Sequence, residues 1–186
     1  IVVNAANIEK DFAWFSANGG GISSKEEHRT GDVVLENASA QTALLAVQGP
    51  RSRQLIGSVF NVDLGAISYY HFVKFDSPFG EILLSETGYT GEEGFEVFCS
   101  ADQVLRLWRR LVEMGKPIGV KPIGFGARDT LRLEARLLLY GQDMTDETTP
   151  LEAGLGWTIV WGKGDFIGRL TKSPFFARRS FFSNFF

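Results

Sequence analysis

Between Ala43 and Gly115 the apolar pattern changes period repeatedly, and this stretch constrains the fold more than any other. Residues 43–48 form an apolar run stopped by Gly49-Pro50, which predicts a buried strand. Residues 51–59 place Leu55, Ile56 and Val59 on one side of a helix. Residues 71–75 and 81–85 flank Ser77-Pro78-Phe79-Gly80, a hairpin signal. Residues 94–99 then set Phe95, Val97 and Cys99 against Glu96 and Phe98, the period of a strand. From Ser100 the period is helical. Val104, Leu107, Trp108, Leu111 and Val112 form a stripe, with Arg106, Arg109 and Arg110 on the wet side. Ser100 and Gln103 have capping-box spacing, and Gly115 is the expected stop. Antiparallel hairpins with helices on one side predict an α+β fold, with ferredoxin-like split β-α-β units as the natural topology.

The flanks are less regular. Residues 1–3 read as a strand, and Asn7 as the cap of a helix over 8–16 that aligns Ile8, Phe12 and Phe15. Residues 23–29 read as polar loop and 32–36 as a strand. A last helix covers 127–138, with Leu131 and Ala135 on one face. Residues 1–42 and 133–170 are expected to share one α+β subdomain and 43–132 to form a second, ferredoxin-like one. Residues 171–186 are an irregular Phe-rich tail that, exposed, is an aggregation liability. The chain opens on an apolar run without methionine or signal peptide, so it is expected to begin inside a strand of a longer protein.

Composition narrows the function classes. A net charge of -3 gives no basic face for nucleic acid. One cysteine excludes an internal disulfide, and with only two histidines the chain is poorly equipped for a zinc site. No apolar run is long enough to predict a membrane span. No Ser/His/Asp or Cys/His arrangement stands out, and Asp143, Asp146 and Glu147 lack calcium-loop spacing.

Several residues have both a chemical and a structural reading. Glu96, on an otherwise apolar strand near Gly91 and Gly94, can accept two hydrogen bonds from a planar N–H/NH₂ edge of the kind pterins and guanines display, or can simply face solvent. Tyr89, between glycines, can stack on a flat ligand or pack on the core. Arg128, near a helix start, opposes the helix dipole and needs an anion: either Asp129 beside it or a ligand carboxylate. Asp129 and Glu134, with Arg132 between, read as a charged face. Asn4 can cap or turn the chain, or offer its amide to a ligand. Trp157 follows a Gly-rich turn and can anchor it or line a channel. Trp14, Trp108, Trp161, His71 and Cys99 read as packed residues, and His28 as exposed.

A set of longer segments occurs in a telling order: Val2-Val3-Asn4-Ala5-Ala6-Asn7, Leu44-Leu45-Ala46-Val47-Gln48-Gly49-Pro50 and Tyr69-Tyr70-His71-Phe72. They are followed by Gly88-Tyr89-Thr90-Gly91-Glu92-Glu93-Gly94-Phe95-Glu96 and Gly124-Phe125-Gly126-Ala127-Arg128-Asp129-Thr130-Leu131-Arg132-Leu133-Glu134. Thr148-Thr149-Pro150-Leu151-Glu152 and Lys163-Gly164-Asp165-Phe166-Ile167-Gly168-Arg169 complete the set. Together these segments resemble the aminomethyltransferase family, the T-protein of the glycine cleavage system, over roughly residues 1–170.

The resemblance implies a folate-binding T-protein fold cut short at both ends. It implies transfer of a methylene group from the aminomethyl-dihydrolipoyl arm of H-protein to tetrahydrofolate, which serves as a substrate, with release of ammonia and no metal. It assigns Glu96 to the pterin edge, Tyr89 and Asn4 to the folate border, Arg128 to substrate binding and Trp157, more weakly, to the channel. With these matches the functional readings of Glu96 and Arg128 are favoured. The family's catalytic aspartate lies upstream of residue 1 and its C-terminal barrel beyond Arg169. No catalytic residue is therefore assigned, and the piece alone is expected to be inactive. The implied partner is lipoylated H-protein, with no nucleic acid or membrane, in the cytoplasm or, in a eukaryote, the mitochondrial matrix. The alternatives are another folate-dependent demethylase of the same fold, a non-catalytic folate-binding module, or a piece with no stable fold.

Overall fold

The structure is a computed structural model that describes residues 1–18, 22–24, 33–65 and 67–169. The Phe-rich tail, His28 and most of the expected loop at 23–29 lie outside the described residues. The chain divides into two compact units, residues 1–137 and residues from 138 onward.

In the first unit a 3-10 turn at Ala5–Asn7 leads into α1 (Ile8–Asn18). Strands β1 (Ile22–Ser24) and β2 (Val33–Leu35) pair in parallel. Residues 1–3 belong to no strand. The helix cap is Asn4 rather than Asn7, because the 3-10 turn starts the coil one turn earlier; Ala6 N donates to Asn4 Oδ1 at 3.1 Å. Then follow β3 (Thr42–Gln48), α2 (Ser52–Phe60), β4 (Phe72–Ser77), β5 (Gly80–Ser85), β6 (Gly94–Ser100), α3 (Val104–Gly115) and α4 (Phe125–Glu134).

Strands β3 to β6 form one antiparallel sheet in the order β3-β6-β5-β4. The α+β class and the antiparallel sheet are as the periodicity predicts. Within that class, β3 and β5 run parallel with β6 between them, the arrangement of a split unit. The chain reaches β5, however, through α2 and the edge strand β4.

Each strand alternates, so one sheet face is apolar. Phe95, Val97, Cys99, Ile82 and Leu84 join Leu55 and Ile56 of α2 and Leu107 and Leu111 of α3 in a single buried cluster. Burying each large side chain stabilises the fold by about 1.5–3 kcal/mol. The other face carries the rows Leu44–Phe98–Leu83 and Ala46–Glu96–Ser85, with Gln48 opposite Gly94.

The ends of α3 differ from expectation. Ser100 is still paired with Thr42 in the sheet, so it does not cap the helix; its hydroxyl donates to Asp102, and the helix starts at Val104. The α-helix does end at Gly115, as expected, but not through a left-handed glycine cap. The Gly115 φ of -78° is right-handed, and the coil continues as a 3-10 turn, Lys116–Ile118, until Gly119 at φ +82°. Gly115 is needed for close packing instead: a Cβ there would lie 2.6 Å from Val120 Cβ. The last helix ends early, at Glu134, because Arg136 adopts φ +58°. Trp14, Trp108 and Trp161 are 49%, 42% and 40% exposed rather than packed, and His71 is exposed with Nδ1 3.0 Å from Tyr69 O.

The second unit is built of turns. Among its described residues the elements are an isolated bridge between Tyr140 and Met144 and 3-10 turns at Gly156–Thr158 and Trp161–Lys163. Glu152 accepts from the N and Oγ1 of Thr149 at 2.9 and 2.8 Å, which holds its carboxyl below the usual range. Arg169 donates to Trp161 O and Gly164 O at 2.6 and 2.5 Å. Among the described residues no helix is long and apolar enough to cross a membrane.

Two outcomes are expected. Gly115→Ala forces the Val120 side chain aside and lowers unfolding free energy by about 1–3 kcal/mol; an unchanged denaturation midpoint shows that the contact is loose. Burial, then the charge of Asp102, push the Cys99 thiol up. Cys99 therefore alkylates slowly in the native chain and at the rate of a free thiol in denaturant.

Candidate functional site

The segment between β5 and β6, residues 86–93, is rich in glycine but held at three places. At its two ends stand Glu86 and Glu93. Arg53, on α2, donates to both: Nη2 to Glu86 Oε2 at 2.8 Å and Nε to Glu93 Oε1 at 2.6 Å. Its Nη1 donates to Leu64 O at 2.6 Å, and the guanidinium lies 5.1 Å from the Phe95 ring centroid. The hydrogen bonds to Glu93 first, then Glu86, raise the Arg53 pKa further.

The third anchor is Gln48, at the end of β3. Its Nε2 donates to Thr87 O and Phe95 O, each at 3.2 Å, and Oε1 accepts from Thr90 Oγ1 at 3.4 Å. A Cβ on Gly88 or Gly94 would run into the Gln48 carboxamide. A side chain at either position would push that amide aside and break the hydrogen bonds it makes.

This frame presents Glu96 and Tyr89. Glu96 is half-buried on the sheet face opposite the core, between Ala46 and Ser85, and its Oε2 accepts a short hydrogen bond from Thr87 Oγ1. Tyr89 is half-buried and meets α4. The Arg128 guanidinium lies 5.9 Å from its ring centroid and 4.8 Å from that of Phe125. The loop approaches α4 closely, since a Cβ on Gly91 would stand 2.8 Å from Ala135 Cβ.

Arg128 is not neutralised by its neighbour. Asp129 instead takes Arg132, whose Nε donates to Asp129 Oδ1 at 2.7 Å. Arg132 is 3% exposed and also donates to Leu137 O, while the Asp129 side chain is 41% exposed, so this part of the charged face is a structural pair with its arginine buried. The reason is helical spacing: residues three apart share a face, whereas adjacent ones do not. Arg128 Nε is buried without a hydrogen-bond partner among the described residues. An arginine nitrogen left in that state calls for an acceptor, from water or from a ligand.

The structure thus brings Tyr89 to Arg128 and sets Glu96 at the base of the same loop. Asn4 is exposed, and its side chain serves its own helix turn. Trp157, in the second unit, is 75% exposed and so does not anchor its turn by burial. Gln48, Thr87 and Arg53 were not singled out by the sequence pattern. The one local sign was Gln48, a polar residue closing an apolar strand before Gly-Pro. Among the described residues no group of three His, Cys, Asp or Glu converges to hold a metal.

Residues 1–163 match the family model described as the GCVT N-terminal domain. The chain belongs to this family. Among similar GCVT proteins, an aminomethyltransferase from Chloroherpeton thalassium is 45% identical over 169 residues, and one from Bacillus subtilis 42% over 171. Each match covers 91% of this chain and 44% of the relative, so the chain spans less than half the length of the curated relatives it matches. A solved structure, the glycine cleavage system aminomethyltransferase T from Bartonella henselae, matches with a TM-score of 0.66 at 29% identity. That match covers 85% of this chain and 39% of the other.

Removing Arg53 should loosen the GCVT domain's loop selectively. Arg53→Ala is expected to cost about 1–3 kcal/mol, discounted for a guanidinium one-third exposed. Amide exchange at residues 88–92 should quicken by about tenfold or more while that of Val97 changes only with global stability. Equal acceleration at both places would show that Arg53 holds the whole sheet rather than the loop.

Proposed function

We propose that this chain forms the folate-holding wall of an aminomethyltransferase of the glycine cleavage system. The substrates are tetrahydrofolate and the aminomethyl-dihydrolipoyl arm of H-protein. The folate nitrogens N5 and N10 replace nitrogen and sulfur on the methylene carbon, their two protons leaving with ammonia and the freed thiol. The role of the chain is to orient folate. This reading carries with it a cytoplasmic site, or the mitochondrial matrix in a eukaryote.

The observation that carries the reading is the unmatched charge of Arg128. Its Nε is buried without an acceptor among the described residues, and the two rings around it are those of Tyr89 and Phe125. A flat ligand with an anionic tail suits such a place: the tail satisfies the guanidinium beside the two rings. Glu96 supplies the complementary end, a fixed carboxylate for an N–H/NH₂ edge. Asn4 and Trp157 belong to the proposal through the family pattern alone.

Calorimetric titration of the chain with tetrahydrofolate tests the reading, alongside tetrahydropterin, which lacks the glutamate tail. Glu96→Ala should weaken both ligands by about tenfold or more, the loss of a hydrogen-bonded charge. Arg128→Ala should weaken tetrahydrofolate by a similar factor and leave tetrahydropterin unchanged. Equal binding of tetrahydrofolate by wild type and Glu96→Ala, or no binding by the folded chain, overturns the proposal.

A further inference from the structure

We infer that Thr87 is a positioning residue that sets the plane of the Glu96 carboxylate and so selects ligands presenting adjacent N–H and NH₂ donors. The inference rests on the folate reading above and adds a residue to it.

The hydroxyl of Thr87 has one proton, and it goes to Glu96 Oε2. Ser85 Oγ, 3.1 Å from Thr87 Oγ1, is then left to donate to Thr87. A carboxylate offers about four lone-pair positions, and Thr87 takes one. Oε1 has no partner among the described residues, so both oxygens can still accept from a ligand edge. What the hydroxyl removes is rotation. The last torsion of a glutamate is broad, and a half-buried carboxylate on an open sheet face would otherwise turn freely.

The position of Thr87 is itself determined. Its carbonyl accepts from Gln48 Nε2, and the same nitrogen donates to the carbonyl of Phe95, the residue before Glu96. One amide therefore sets the spacing between the hydroxyl donor and its acceptor. On the other side, Arg53 fixes Glu86, the residue before Thr87. Donor and acceptor are both held by groups that do not touch the ligand edge, as preorganisation of a recognition group requires.

A double-mutant cycle separates this role from a purely structural one. Tetrahydrofolate is titrated calorimetrically into wild type, Thr87→Val, Thr87→Ser, Glu96→Ala and the Thr87→Val/Glu96→Ala pair, with melting curves for each. Valine keeps the shape of threonine and removes the hydroxyl. Thr87→Val should weaken binding by about five- to tenfold and Thr87→Ser by less than about twofold, while in the Glu96→Ala background Thr87→Val should change nothing. Equal binding by Thr87→Val and wild type, or the same loss in both backgrounds, overturns the inference while a loss in Glu96→Ala keeps the folate reading. Wild-type affinity in Glu96→Ala, or no binding by folded wild type, overturns both.

Discussion

Strand β6 carries the core on one face and the candidate site on the other, so its register against β3 and β5 fixes both at once. Phe95 and Val97 are fully buried, and Glu96 between them faces away. A slip of one residue would put the carboxylate into the apolar layer and two large side chains into water. The desolvation of an unpaired charge and the loss of burial both oppose that slip, by several kcal/mol each in rough terms. The site therefore inherits its geometry from the hydrophobic pattern of the fold.

The loop that follows from this register has a second requirement. Gly88, Gly91 and Gly94 give the backbone freedom, which by itself would favour disorder. The fold offsets that cost with contacts from outside the loop. Arg53 ties its two ends to α2, and Gln48 fills the space that Cβ atoms at Gly88 and Gly94 would occupy. Ala135 closes against Gly91. Glycine here permits close approach by other groups, and those groups remove the mobility that glycine allows. The loop is consequently both tightly curved and defined, a suitable support for Tyr89 and Glu96.

What could be read in the sequence was what depends on local period. Strands β3 and β6, the β4–β5 hairpin, α2 and the stripe of α3 all follow from alternation or helical spacing within a few residues. The two faces of β6 were legible for the same reason, and Glu96 with them. Caps and ends were less so, because they depend on competition. Ser100 has a capping side chain, but pairing with Thr42 keeps its backbone in the sheet. Of the loop's anchors only Gln48, a polar residue closing an apolar strand, left a local sign, and their partners left none. Arg53 and Glu93 are 40 residues apart, and Gln48 and Phe95 are 47 apart. Nothing in either local pattern announces the partner. The resemblance to a known family supplied Glu96, Tyr89 and Arg128, but it could not show that Asp129 is committed to Arg132.

That commitment decides how Arg128 is to be understood. Three terms act on its charge. The dipole at the start of α4 opposes a cation. Burial of Nε without an acceptor costs on the order of 1–3 kcal/mol, more for a charged group. The faces of Tyr89 and Phe125 return about 0.5–2 kcal/mol each at best. The aromatic contribution is of the same order as the first two, and the nearest carboxylate on the helix is already bonded elsewhere. On the proposed folate reading, an anionic group that reaches the guanidinium would supply the acceptor that Nε lacks among the described residues. On that reading a neutral ligand leaves Nε without its acceptor, and an acid provides one.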